Sequence, residues 1–312
     1  MAETRQNRAG QSGVHVQRRS LAAALLLFLV AALESASADT NVIVLPYELR
    51  QGHVMVPAKV KGLTNALTMM LDTGYGMTML HTARAREAGL ARAGRGVTII
   101  GIAGEERADT FDGPVFDFQG LTWKPRRVAA LADDGAGRGR RRDGILGSGF
   151  FRRVVVRLNP APRTIELIEP DSFDYSGPGE ILPIDFKSST PSVESTIRFA
   201  DGREQKVTLE IDTGCDSALC IGQHFVREHG LGDVAGNEGG RFGVGGTRRV
   251  KESRFAELRL GKLSIVKPKA NLFLEGSPAD PPLAGHIGWE LLKPFRVTFD
   301  YARKRMIIER VE

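Results

Sequence analysis

Leu71-Asp72-Thr73-Gly74 recurs as Ile211-Asp212-Thr213-Gly214, an offset of 212 − 72 = 140 positions. A single Asp-Thr-Gly carries little information, because Asp and Gly serve many turns for backbone reasons alone. The surroundings of these two are what count. Apolar residues lead up to each Asp, which places the carboxylate at the end of a buried strand, and the Gly lets the chain turn away sharply.

Working outward, the matches continue in register. Arg86-Glu87-Ala88-Gly89-Leu90 corresponds to Arg227-Glu228-His229-Gly230-Leu231, and Gly101-Ile102-Ala103-Gly104 to Gly243-Val244-Gly245-Gly246. Gly144-Ile145-Leu146-Gly147 corresponds to Gly285-His286-Ile287-Gly288, and Val156-Arg157-Leu158-Asn159 to Val297-Thr298-Phe299-Asp300. Five landmarks in one order define two copies. The expected organisation is a lobe over residues 39–169, a Pro/Gly/Ser-containing linker over 170–180, and a second lobe over 181–312.

Within each copy the elements read as strands. Val42 to Leu45, Val54 to Val56 and Leu67 to Leu71 are short apolar or β-branched runs bounded by turn residues. Lys61-Gly62 and Asp201-Gly202 sit at equivalent hairpin positions. One short helix per copy is expected, over Thr82 to Ala88 and Gly222 to His229, ending at Gly89 and Gly230. The fold class is all-β, with two equivalent lobes.

If the lobes associate about a pseudo-two-fold axis, equivalent residues face each other and Asp72 meets Asp212. Two buried carboxylates in contact cannot both ionise cheaply, so the pair holds one proton between them. Such a pair offers a general base for a water and a general acid for a carbonyl oxygen, which is enough for direct amide hydrolysis. Asp72 and Asp212 are therefore the candidate catalytic residues, with no metal and no cofactor expected.

On these residues the chain resembles the pepsin and retropepsin group of aspartic peptidases. The resemblance implies a bilobal acid-protease fold of two β-barrel lobes whose dyad forms within one chain, as a monomer. It implies that Thr73 and Thr213 hydrogen-bond across the dyad beside Gly74 and Gly214. It also implies that Ile145-Leu146-Gly147 and, more loosely, His286-Ile287-Gly288 pass under the active-site loops. Gly-containing hairpins at Ile100 to Gly104 and Phe242 to Gly246 would act as flaps, making Gly101, Ile102, Gly104, Gly243, Val244 and Gly245 candidate substrate-binding residues. The first flap lacks the tyrosine typical of pepsin-like enzymes, and Gly76 and Asp216 stand where the family has a hydroxyl residue, with Thr78 and Ser217 close by. The implied activity is that of an aspartic endopeptidase acting on a peptide or protein substrate. The alternatives are a bilobal module that binds extended peptides without cutting them, or a dedicated processor of one exported partner.

Other classes fit less well. The chain has 312 residues, 42% hydrophobic and 26% charged, a composition that folds. The net charge is +6, and arginine crowds into an N-terminal tail and into the Gly/Arg stretch Asp133 to Gly144, read as a solvated loop. No aromatic residues interleave with it as a nucleic-acid stacking platform requires. His224 and His229 lie five apart, off one helix face, and match no zinc-protease spacing; they read as helix-surface residues. The glycines from Gly239 to Gly246 lack the Gly-Lys-Ser/Thr ending of a phosphate loop.

Arg18 and Arg19, the apolar run Leu21 to Leu33 and the small residues Ala36-Ser37-Ala38 read as a signal peptide over residues 1–38. The mature chain is then expected outside the cytoplasm, periplasmic or secreted, with no stable membrane insertion. A general secretory leader, a twin-arginine leader and an uncleaved anchor all remain open. Cys215 and Cys220, the only cysteines, are compatible with either free thiols or a disulfide.

Overall fold

The computed structural model describes residues 42–131, 142–186, 189–276, 279 and 281–311. The signal-peptide reading and most of the Gly/Arg stretch lie outside the described residues.

Two large sheets repeat one strand order. One runs Val97–Gly101, Gly104–Asp112, Arg127–Leu131, Met79–His81, Gly144–Leu146, Leu67–Leu71, His53–Val60, Phe116–Phe118, Leu121–Trp123, with Glu48–Arg50 beside His53–Val60. The other runs Asn237–Gly243, Gly246–Arg254, Lys269–Phe273, Leu219–Ile221, Leu283–Gly288, Glu204–Asp212, Ser192–Arg198, Glu257–Leu260, Leu263–Val266. The Asp-Thr-Gly turns, the Gly-containing hairpins and the strands Gly144–Leu146 and Leu283–Gly288 fall at the same places in the two sheets.

A six-stranded sheet takes three strands from each half, in the order Val42–Pro46, Thr164–Ile168, Val155–Asn159, Phe295–Asp300, Arg305–Arg310, Glu180–Pro183. The halves join at its centre, where Val156, Arg157 and Leu158 pair antiparallel with Phe299, Thr298 and Val297. Arg157 and Thr298 are equivalent positions, so the local two-fold axis passes between them. The alternation of buried Val156, Leu158, Val297 and Phe299 turns one face of this sheet into the core beneath both lobes. There Phe151 packs edge-on against Phe299 at 5.5 Å and stacks with Tyr301 at 5.5 Å, which ties the floor of the two halves together.

The expected helices form at Thr82–Glu87 and Gln223–Glu228, followed by Gly89 and Gly230, each with φ +65°. Each half also contains a second short helix that the sequence reading did not anticipate, Ser148–Arg153 and Trp289–Leu292. They span six and four residues. That is too short for a 3.6-residue period to show, and they are held by burying Phe150, Phe151, Trp289, Leu291 and Leu292. The segment read as a linker is also more than a connector. Pro170–Ser172 forms a 3₁₀ turn, and Phe173 inserts among Val155, Ile168 and Ile307 with the guanidinium groups of Arg157 and Arg305 over its ring. His229 packs its ring on Phe225 at 4.2 Å and on Phe199 at 5.5 Å, so it is a packing residue more than a surface one.

Candidate active site

Asp72 follows the strand Leu67–Leu71 and Asp212 ends the strand Glu204–Asp212. In each half the later Gly-containing strand runs parallel beside it. Met70 and Leu71 pair with Ile145 and Leu146, and Glu210, Ile211 and Asp212 pair with His286, Ile287 and Gly288. This strand braces the turn from below: the Asp72 N–H donates to the Leu146 carbonyl at 3.1 Å and the Ser148 N–H to the Tyr75 carbonyl at 2.8 Å. In the second half the Trp289 N–H donates to the Cys215 carbonyl at 2.8 Å.

Thr73 and Thr213, both fully buried, lock the turns together. The Thr73 N–H donates to Thr213 Oγ1 and the Thr213 N–H to Thr73 Oγ1, each at 3.0 Å. Their hydroxyls then donate across the axis, Thr73 to the Ile211 carbonyl at 2.7 Å and Thr213 to the Leu71 carbonyl at 3.0 Å. Four buried backbone groups are satisfied by two side chains, and the carboxylates one residue earlier are brought face to face.

Close approach also explains the glycines. A Cβ on Gly74 would lie 2.6 Å from the Asp212 carboxyl carbon, and one on Gly214 would lie inside the Asp72 carboxylate. Each glycine instead offers its N–H to the Asp of its own half, Gly214 to Asp212 Oδ1 at 2.9 Å and Gly74 to Asp72. Thr78 and Ser217 are bound elsewhere: Gly147 N–H donates to Thr78 Oγ1, and Asn271 Nδ2 to Ser217 Oγ at 2.8 Å.

The two aspartates are not electrostatically equivalent. Burial pushes the Asp72 carboxyl well above the usual range, and the Asp212 charge and hydrogen bond push it the same way, against the Gly74 N–H and Arg142. Burial acts on Asp212 too. There it is outweighed by the hydrogen bond and charge of His286, with help from Asp72 and the Gly214 N–H, so Asp212 ends below its ordinary value. The opposite shifts favour the shared proton on Asp72 and the charge on Asp212.

In the sequence His286 is only a loose match to the apolar Ile145, yet in the structure its Nδ1 lies 3.2 Å from Asp212 Oδ2 and its Nε2 lies 3.3 Å from Glu210 Oε2. The usable signal was a double one: in the register of the repeat, Glu210 replaces Met70 where His286 replaces Ile145. Beside it, the Cys215 and Cys220 thiols lie 3.4 Å apart, both free.

Above the dyad the expected flaps are β-hairpins. Val97–Gly101 and Gly104–Asp112 turn at Ile102-Ala103, and Asn237–Gly243 and Gly246–Arg254 turn at Val244-Gly245. The tips meet: the Ala103 N–H donates to the Val244 carbonyl at 3.0 Å, and Arg248 donates to the Ala103 carbonyl. Gly245, at φ +87°, packs directly on Gly104 and Ala103, leaving no room for a Cβ. Under this roof lies a cleft of about 1030 Å³ lined by Asp72, Asp212, Met70, Ile145, Glu210 and His286, with Gly101, Ile102, Gly243 and Val244 above. Of the candidate flap residues, Gly104 and Gly245 serve the contact between the tips and do not line the cleft.

Two lobes of one strand order, joined through a shared six-stranded sheet and meeting at paired aspartates, are the bilobal acid-protease fold. Residues 56–150 match the family model described as aspartyl protease. A crystal structure of an aspartic proteinase from Irpex lacteus superposes with a TM-score of 0.58 at 13% identity, over 87% of this chain and 98% of that one. Against curated proteins the sequence finds no match. The fold read from the two Asp-Thr-Gly motifs is the fold observed.

Proposed function

We propose that the chain is an aspartic endopeptidase working by water activation at a single-chain Asp72/Asp212 dyad. The observation that carries the reading is the buried carboxyl pair at the floor of the cleft, each Asp packed against the motif glycine of the other half, with Asp72 pushed up and Asp212 held down. Asp212 accepts a proton from a water whose oxygen attacks the peptide carbonyl carbon, while Asp72 donates its proton to the carbonyl oxygen. The tetrahedral diol collapses as the C–N bond breaks: the nitrogen takes the proton from Asp212, and a diol hydroxyl returns one to Asp72. Acid, amine and the starting dyad result.

The hairpin tips support a peptide substrate, because their backbone edges can pair with an extended chain lying in the cleft. The signal-peptide reading adds that the enzyme works outside the cytoplasm. Among the described residues no helix is long and apolar enough to cross a membrane.

The test is cleavage of a diverse peptide library from acidic to neutral pH, with and without a statine-type inhibitor. Inhibitor-sensitive cleavage that falls at least 100-fold in Asp72→Asn and in Asp212→Asn is expected, the order of magnitude of a lost general acid or base. Peptide binding without cleavage identifies a non-catalytic module instead. Wild-type turnover in either Asn variant overturns the mechanism.

A further inference from the structure

The first half surrounds its catalytic Asp with Met70, Met79 and Ile145, members of one apolar cluster. The same three positions in the second half hold Glu210, Cys220 and His286. The strand register makes this a row: His286 is opposite Glu210 on one neighbouring strand and opposite Cys220 on the other. The two halves share backbone geometry around the dyad but not side-chain chemistry.

His286 is 8% exposed and has a carboxylate at each ring nitrogen, Asp212 at Nδ1 and Glu210 at Nε2. A neutral imidazole has one N–H and one lone pair, so it would present a lone pair to one of the two carboxylates. The Nδ1 contact is a hydrogen bond, whereas Nε2 meets Glu210 at ion-pair distance without hydrogen-bond alignment, so only the imidazolium is attracted to both carboxylates. Glu210 is itself held by Thr190, on the chain before the strand Ser192–Arg198. That leaves the imidazole pinned between two groups on one strand.

We propose that His286, clamped by Glu210, is a positioning residue that presents an imidazolium to Oδ2 of Asp212 and so assigns the base role to Asp212 and the proton to Asp72. This rests on the peptidase reading only where it speaks of catalysis; the ion triad itself stands apart from it. A symmetric pair would have no preferred site for its proton. Here the charge lies on one side, and the apolar Ile145 lies on the other.

The groups that face His286 agree in sign: Glu210 and Asp212 from one strand and the Cys220 thiol from the next, each favouring the imidazolium, with Cys215 behind Cys220 and Asp72 across the dyad. The cation Arg142 acts on Asp72. Burial alone would push His286 down. The Asp212 hydrogen bond and the Glu210 and Asp212 charges overcome it and carry the imidazole up to about 9.

Two measurements test the proposal. In the pH profile of kcat/KM, the acid limb reports protonation of Asp212. His286→Gln should move it up by about one pH unit or more, the usual effect of removing a neighbouring opposite charge. Glu210→Met/His286→Ile, which restores the first half's residues and strands no charge, should move it in the same direction by less. Acid limbs coinciding with that of the unsubstituted protein in both variants overturn the proposal, even if turnover falls, because a merely structural loss does not displace a pH limb.

The second measurement needs no hydrolysis. The imidazole resonance that disappears in His286→Gln should titrate near 9, and its midpoint should fall towards the ordinary value in Asp212→Asn. A midpoint near the ordinary value in the unsubstituted protein overturns the proposal. Should the protein cleave no peptide while this titration behaves as expected, the peptidase reading fails and the triad stands.

Discussion

Thr73 and Thr213 donate their backbone N–H groups to each other's hydroxyls at 3.0 Å in both directions, 140 positions apart in the chain. One pair of side chains thus sets the separation of the two carboxylates, because each threonine directly follows an aspartate. Thr73→Val keeps the shape but leaves the Thr213 N–H and the Ile211 carbonyl without these partners in a fully buried site. Unfolding free energy by chemical denaturation should drop by about 2–4 kcal/mol, the cost of one or two orphaned buried groups, and activity should drop with it. Thr73→Ser, which keeps the hydroxyl, should retain most of both.

Gly74 and Gly214 should tolerate no side chain. Gly74→Ala puts a methyl 2.6 Å from the Asp212 carboxyl carbon, and Gly214→Ala invades the Asp72 carboxylate itself. Each should abolish peptide cleavage by forcing the pair apart. Thermal unfolding should show a cooperative transition for both, since the strain is confined to the two turns. Activity within tenfold of the unsubstituted protein would contradict the close approach.

His286 should leave a signature in stability against pH. Its folded value, about 9, lies above its ordinary value of 6.5. The stabilisation is therefore complete below about 6.5, the value in the unfolded chain, and is lost as pH rises through 9. The difference corresponds to about 3 kcal/mol as an order of magnitude, from 1.36 kcal/mol per unit. Denaturation midpoints between pH 6 and 10 should fall in the unsubstituted protein and stay nearly flat over that window in Glu210→Met/His286→Ile. Parallel curves would show that His286 is not charged in the fold.

Asp72 and Asp212 should respond oppositely to neutralisation. Asp72 is raised, so its ionisation opposes folding above the ordinary carboxylate range, and Asp72→Asn should be as stable as the unsubstituted protein or more so at pH 7. Asp212 is lowered by His286, so its contribution is present above the ordinary range and lost as pH falls through its folded value. Asp212→Asn should therefore be the less stable variant at pH 7, by thermal unfolding. The reverse order would place the shared proton on the other residue.

Cleavage products should be asymmetric in side-chain preference. Met70 and Ile145 present an apolar wall beside Asp72, while Glu210 and His286 present a polar one beside Asp212. Mass spectrometry of library products should show an apolar residue strongly preferred on one side of the cut only, with about tenfold or greater discrimination, the order a hydrophobic pocket achieves. Glu210→Met/His286→Ile should extend that preference to the second side.

The repeat, the all-β class and the two aspartates at strand ends were legible in the sequence, because they depend on local rules: an apolar run ends at Asp, a Gly permits the turn, and identical words recur at one spacing. The roles of the threonines and of the hairpins above the dyad followed from the family resemblance that these words carry. The tertiary structure alone decided that His286 is placed against Asp212, 74 positions away, since that contact exists only through the parallel pairing of Glu204–Asp212 with Leu283–Gly288. It likewise decided that the hairpin tips touch and that Phe173 fills a core site, because neither contact has a period or a local signal. Backbone symmetry follows from the repeat. The electrostatic asymmetry of the dyad follows from which side chains a strand register sets side by side.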